Sequence, residues 1–445
     1  MASKRETFTT NFGLLMTMIG VAVGLGNVWR FPYMVSKFGG AAFVFIYLLA
    51  VLFIAIPALM AEWTLGRYTR RGTLGAFEKA GLPGGKYAGY FFFCIVIFAA
   101  GYYSVAVGWV GYYAFAEMVR AFGREIHPQA ILFPKTGFVP TSFLLQLLMT
   151  AIVISSCGLV LVKGLRQGIE KISKLIMPML FIILIILIIR TVTLEKAGDG
   201  IRKYFGNFSL NSFNSVTIAA ALGQAIFSLS LGGTFMVIYG SYLNKASGIP
   251  KNAVFTGLGD AIAALMAGLA ILPAVAVFNL EVFSGPNLIF VTLPNVFAEL
   301  PVGWLFGLLF FLGLFGAAFL SDVAAFEVLT AGIVDNTRIS RKKAVLLLCA
   351  IVFLVALPPM ISEKIFIPWD LTFGSGMQTL GALLAVITTV WCIKRSDALK
   401  EFAQGRNKPF PPLLYWWMRL VIPAVILLVG VLWLLEKVFK IITIG

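Results

Sequence analysis

About eleven stretches of roughly 20 mostly apolar residues follow one another along the chain, near 11–36, 41–66, 87–121, 141–161, 169–190, 215–243, 253–278, 302–334, 343–360, 370–393 and 412–436. That is the length an α-helix needs to cross the hydrocarbon of a bilayer. In lipid every backbone N–H and C=O must be paired within the protein, so a chain of this kind folds as a bundle of membrane helices. Composition agrees, because 60% hydrophobic and 12% charged among 445 residues leaves too little polar surface for a soluble globule of this size. The first run is interrupted by glycines, is followed by ten more and lacks a small-residue cleavage site, and so reads as a span rather than a removable signal. With no linker or low-complexity tract, one membrane domain over 1–445 is expected.

The formal charge of +16 does not point to nucleic acid, because Lys and Arg sit between the apolar runs rather than on one soluble face. Lys4 and Arg5, then Arg67, Arg70 and Arg71, Lys163 and Arg166, Lys245 and Lys251, Arg338 with Arg341 to Lys343, and Lys394 to Lys408 fall in alternate loops. The positive-inside rule makes those loops cytoplasmic, which puts the N-terminus inside and the C-terminus outside. Cys94, Cys157, Cys349 and Cys392 lie within apolar runs and read as buried thiols rather than disulfide or metal partners. His127 is the only histidine and lies in an outer loop, which leaves no His/Cys metal cluster and no Ser/His/Asp arrangement, so an enzyme is not expected. No obligatory protein partner is evident; the expected surroundings are the lipid bilayer.

Two runs are broken at mid-membrane depth, the first by Gly20, Gly24 and Gly26 and the sixth by Gly232 and Gly233. Glycine-interrupted helices at matching positions of two halves point to an inverted repeat whose unwound segments hold a substrate, while close helix packing accounts for the same glycines equally well. Charged groups within the runs are Arg30, Glu62, Asp260, Asp322, Glu327 and Asp370, each costly in lipid and therefore a functional candidate. Carbonyls freed around Gly20 to Gly26, with Asn27, Ser228, Ser230, Ser321 and Asp260, offer hard oxygens to a small dehydrated cation, and freed helix N-termini attract a carboxylate. From the residues alone this is a transporter or a channel of unknown cargo.

The block GVAVGLGNVWRFP at 20–32 resembles the first-helix signature of the neurotransmitter:sodium symporter family. The resemblance continues through GGAAF at 39–43, EWTLGRY at 62–68, the Gly168 to Pro178 spacing, GQAIFSLSLGG at 223–233, VTLP at 291–294 and SRKKAV at 340–345. It implies an all-α membrane fold of about eleven helices. Two inverted five-helix repeats, about 8–190 and 212–394, would have unwound first and sixth helices, with one extra helix at about 412–436.

It also implies a bacterial amino acid transporter of the inner membrane that uses two sodium sites. Site one would comprise Ala22, Asn27, Ser228 and Asp260, completed by the substrate carboxylate. Site two would comprise Gly20, Val23, Ala317 and Ser321, but Leu320 stands where relatives carry Thr, Ser or Asp. Either Asp322 swings in or that site is weakened. Asp260 replaces the Asn of most relatives, and a chloride at the matching positions Tyr47, Gln224 and Ser228 would be repelled by it, so chloride independence is expected.

Substrate contacts implied are Val21, Ala22, Gly24, Leu25, Gly26, Ala99, Tyr103, Phe227, Ser228, Ser230, Gly233, Ser321 and Ala325. Small groups at Val21, Ala99, Gly233 and Ala325 suggest room for a large hydrophobic or aromatic α-amino acid. Arg30 with Asp370 would gate the outer side, and Arg5 with Asp335, near Ser241 and Tyr242, the inner side. The Gly168 to Pro178 element would unwind to admit water. A sodium-independent exchanger, or a receptor or channel using the same pocket, stands as the alternative.

Overall fold

Thr10 closes an extended entry segment and caps the first helix, its Oγ1 accepting from Gly13 N at 3.0 Å. The computed structural model describes residues 5–124, 126, 131–132, 138–206, 208–282, 285–405 and 409–441, so His127 and the basic residues Lys4, Arg406 and Lys408 lie outside the described residues. From that cap, α1 (Asn11–Ala22) runs until Val23 turns extended at φ −72° and ψ 119°, and α2 (Gly26–Lys37) resumes with a 57° bend. Gly24 sits in the break, where the backbone has left the α1 ladder.

Among the described residues, nine further helices are long and apolar enough to cross a membrane. They include α3 (Ala41–Thr69), α4 (Gly85–Arg120), α5 (Pro140–Val162), α6 (Leu165–Val192) and, after the second broken element, α9 (Ile249–Val277), α10 (Gly303–Asn336), α11 (Arg341–Met360), α12 (Glu363–Cys392) and α13 (Pro412–Val438). Between them lie α7 (Ser215–Ser228) and α8 (Phe235–Ser241). All regular structure among the described residues is helical.

Asn214 starts α7 by accepting from Thr217 N at 2.8 Å. After Ser228 the chain passes through positive φ at Ser230 (50°), Gly232 (91°) and Thr234 (59°) before α8 begins. Glycine is required at 232 on two counts: the φ is left-handed, and a Cβ there would strike the backbone of Gln378 and Ala382 on α12. Its freed N–H donates to Glu62 Oε1 at 2.8 Å, so the buried carboxylate on α3 anchors the irregular segment.

Helix boundaries differ from the apolar runs where polar signals start a helix. The run expected from 370 begins at Glu363, because Ser362 Oγ accepts from Lys364 N at 3.1 Å and starts the helix seven residues before hydropathy rises. The Gly168 to Pro178 stretch is helical here. A wide turn over Leu165–Glu170 leads into a helix that carries Pro178 inside it. Glu170 binds this element to the N-terminus, accepting from Thr9 N at 2.9 Å and Lys174 Nζ at 2.7 Å.

Helices α4 and α10 make the most extensive contact in the protein, and α8 lies along α3. Outward faces carry Leu148, Leu159, Ile182, Leu354 and Leu427, all exposed, as lipid-facing surface should. The last helix packs on α12, and the Trp433 indole fills the space beside Gly376.

Candidate substrate and sodium sites

The two breaks face each other across a partly open cavity. Of the residues expected to meet a substrate, Val21, Ala22, Gly24, Leu25, Gly26, Ala99, Tyr103, Phe227, Ser228, Ser230, Ser321 and Ala325 line it. Gly233 does not. The Phe235 ring lies where a Cβ on Gly233 would project, so the space counted at that glycine is filled by its neighbour. The lining also includes Ala100, Tyr102, Phe235, Gly374 and Gln378, which sequence reading missed. Gly374 and Gln378 follow Asp370 at i+4 and i+8 on α12, a spacing that could have flagged them.

At one end of the cavity Asn27, Ser228 and Asp260 form a closed polar cluster. Ser228 Oγ donates to Asp260 Oδ2 at 2.6 Å, and Asn27 Nδ2 donates to Asp260 Oδ1 at 2.8 Å and Ser228 Oγ at 3.0 Å. Asn27 Oδ1 accepts from Gly24 N at 3.1 Å, which ties the cluster to the α1–α2 break. Asp260 is wholly buried, and no Lys or Arg pairs with it among the described residues. A buried carboxylate with only neutral partners is a place that favours a cation; Asp260 and Ser228 offer hard oxygens to it, while Asn27 turns its Nδ2 to them and its Oδ1 to Gly24 N. These residues fit a sodium ion.

On the chloride positions, Tyr47 OH lies 3.5 Å from Ser228 Oγ, while Gln224 Nε2 donates to Gly26 O at 3.4 Å. The Ser228 hydroxyl proton is already given to Asp260, and an anion there would face that carboxylate.

The N–H of Leu25 points to Tyr103 OH at 3.4 Å, next to Gly24, whose missing side chain leaves room beside Tyr103 and Ser321. Small groups continue the cavity at Val21, Ala99, Ala100 and Ala325, and Phe227 covers it from α7.

Around the second sodium position, Ser321 Oγ donates to Val23 O at 3.2 Å and lies 3.4 Å from Ala317 O. Leu320 packs on Gly20. Asp322, considered as a substitute donor, points elsewhere: its Oδ2 accepts from Ser104 at 2.8 Å and from Cys157 at 3.8 Å. One residue along a helix is a turn of about 100°, which is why Asp322 faces α4 and α5 when Ser321 faces α1.

The inner gate residues meet. Arg5 Nη1 pairs with Asp335 Oδ2 at 2.6 Å, its guanidinium lies 4.9 Å from the Tyr242 ring centroid, and Arg70 donates to Ser241 O at 3.0 Å. Two residues not named among the expected gate residues lie against them: Glu327 accepts from the Tyr242 hydroxyl and pairs with Arg341 at 2.5 Å. The outer residues stay apart. Arg30 and Asp370 form no ion pair among the described residues, and the Arg30 guanidinium lies 4.6 Å from the Phe227 ring centroid.

Paired broken helices around a central cavity, with hard oxygens at the breaks, define a membrane transporter. Comparison with known proteins agrees. The sequence matches the sodium:neurotransmitter symporter family over residues 5–125 and 122–443, and the chain belongs to that family. It is 31% identical over 446 residues to the sodium-dependent transporter YhdH of Bacillus subtilis, covering 96% of this chain and 97% of the relative. A sodium-dependent transporter of Haemophilus influenzae is likewise 31% identical, over 96% of this chain and 97% of its own. Among solved structures, MhsT in complex with L-phenylalanine superposes with a TM-score of 0.82 at 31% identity, covering 96% of this chain and 99% of MhsT. As in those relatives, the function is transport and not catalysis.

Proposed function

We propose that this protein imports large hydrophobic or aromatic α-amino acids by sodium symport, independently of chloride, across a prokaryotic plasma membrane with its N-terminus in the cytoplasm. The observation that carries the reading is the buried Asp260 cluster at the end of the cavity between the two helix breaks. Sodium held by Asn27, Ser228 and Asp260, with the Ala22 carbonyl, neutralises the carboxylate. The substrate carboxylate then lies between that ion, the freed N–H groups near Leu25 and Tyr103 OH, so ion and amino acid stabilise each other. The roomy wall at Val21, Ala99, Ala100 and Ala325 accepts the side chain, and the L-phenylalanine complex of MhsT supports the size assigned to it.

Alternating access exchanges the two gates. The Arg5–Asp335 ion pair, together with the lack of an Arg30–Asp370 ion pair among the described residues, supports a state that receives substrate from outside. Approach of Arg30 to Asp370 over Phe227 would close the outer path, and release of the Arg5 pair would open the inner one. The reading is tested by uptake of labelled tryptophan, tyrosine, leucine and alanine into proteoliposomes, with and without a sodium gradient and with chloride replaced by gluconate. Sodium-dependent accumulation that survives gluconate and favours the aromatics is expected; uptake indifferent to sodium would leave exchange in its place.

Two variants probe the parts separately. Ala325→Ile fills the side-chain wall and is expected to lower tryptophan uptake ~10-fold or more while alanine uptake persists, because overpacking a fitted site costs about 1–3 kcal/mol. Arg5→Ala removes one side of a half-buried pair bridging the inner gate. It is expected to raise alkylation, by a membrane-permeant thiol reagent, of a cysteine placed at Ser241, and the readout is the labelling rate with sodium present.

A further inference from the structure

Beside Gly20, whose carbonyl is one of the expected ligands of a second sodium, the side chains in closest approach are the apolar Leu320 and Met177. A point one bond out from Gly20 lies 2.8 Å from Leu320 Cδ1 and 3.4 Å from Met177 Cγ. Leu320 is 3% exposed, so its methyls are held in that position by packing. The expected ligands are the carbonyls of Gly20, Val23 and Ala317 and the Ser321 hydroxyl, and that hydroxyl already lies within bonding distance of the Val23 and Ala317 carbonyls. The nearest spare carboxylate in sequence, Asp322, is turned into the α4–α5 side by Ser104 and Cys157. A hard cation that sheds its water needs an oxygen shell in exchange, and four neutral oxygens, one of them a hydroxyl already spent on two of the carbonyls, leave that shell incomplete where Leu320 contributes a methyl and no carboxylate turns inward.

We propose that this transporter moves a single sodium ion with each amino acid, through the Asp260 site alone. The junction between α1 and α10 would be held by permanent contacts, Leu320 on Gly20 and Ser321 to Val23, where an ion would otherwise join them. This deepens the symport reading and rests on it. The junction would then not depend on ion occupancy, and opening of the inner path would be timed by the Arg5 gate and by site one.

The test is the flux ratio of radioactive sodium to radioactive tryptophan in proteoliposomes, together with the sodium dependence of initial uptake. A ratio near one and a Hill coefficient near one are expected. A ratio near two overturns the inference while leaving symport standing, whereas sodium-independent uptake overturns the symport reading itself, so the two failures are distinguishable. Leu320→Thr puts an oxygen where the methyl stands and is expected to raise the Hill coefficient above one and the ratio toward two. If that variant still binds tryptophan but keeps the native sodium dependence, Leu320 is not what closes the site, and the assignment fails.

Discussion

Replacing Asp260 with Asn is expected to cut sodium-driven uptake in chloride-free medium by at least ~100-fold, with partial recovery when chloride is returned. The carboxylate is wholly buried and accepts from Ser228 at 2.6 Å and Asn27 at 2.8 Å. It is the one full negative charge that the cluster offers a bound cation. Removing a charge that is buried and hydrogen-bonded costs about 2–5 kcal/mol of binding, and each 1.4 kcal/mol is tenfold in affinity. Recovery by chloride follows from geometry. With a neutral amide at 260, the Ser228 hydroxyl is no longer committed to a carboxylate, Tyr47 OH lies 3.5 Å from it, and Gln224 stands one turn earlier on α7. Initial tryptophan uptake by wild type and variant, in chloride and in gluconate, measures both effects. Equal activity of the two proteins in gluconate would remove Asp260 from the ion site.

Gly24→Ala is the second large effect expected, a loss of ~10- to 100-fold in amino acid affinity with little change in the amount of folded protein. A Cβ at this position would come within 2.8 Å of Ser321 Oγ and 2.9 Å of Tyr103 OH. Both are side-chain atoms that can shift, so the helix break survives, but the added methyl sits where the proposed reading puts the substrate carboxylate. Displacing it costs about 1–3 kcal/mol, the usual range for overfilling a packed site. Equilibrium binding of labelled tryptophan at saturating sodium checks the affinity, and gel-filtration recovery checks the fold. Binding unchanged by the methyl would place the carboxylate elsewhere.

Seen from these two positions, what the sequence made legible is uneven. The membrane helices were legible because lipid imposes one requirement on every span, a run of apolar residues long enough to cross, and that requirement is written locally. The breaks were legible because glycine at 24, 26 and 232 marks places where the chain leaves the helix. Asp260 stood out because a carboxylate in an apolar run needs a reason. These features depend on residue type and near neighbours alone.

Other features depend on distance across the bundle. That Phe235 takes the space beside Gly233, that Gln378 and Tyr102 line the cavity, and that Glu327 meets Tyr242 and Arg341 are facts about which helix faces which. Leu320 and Asp322 show the limit most clearly. The sequence places a leucine and a carboxylate on either side of Ser321, and either could have approached α1. Only the packing of α10 against α1, α4 and α5 decides that the methyl meets Gly20 and the carboxylate meets Ser104 and Cys157. A helix turns each successive residue by about 100°, so which neighbour a side chain meets is set by the rotation of the whole helix in the bundle, and that rotation is fixed by many contacts at once. The sequence by itself determined a helical membrane transporter with a buried acid at its broken helices; the tertiary structure decided which oxygens stand together and which are replaced by carbon.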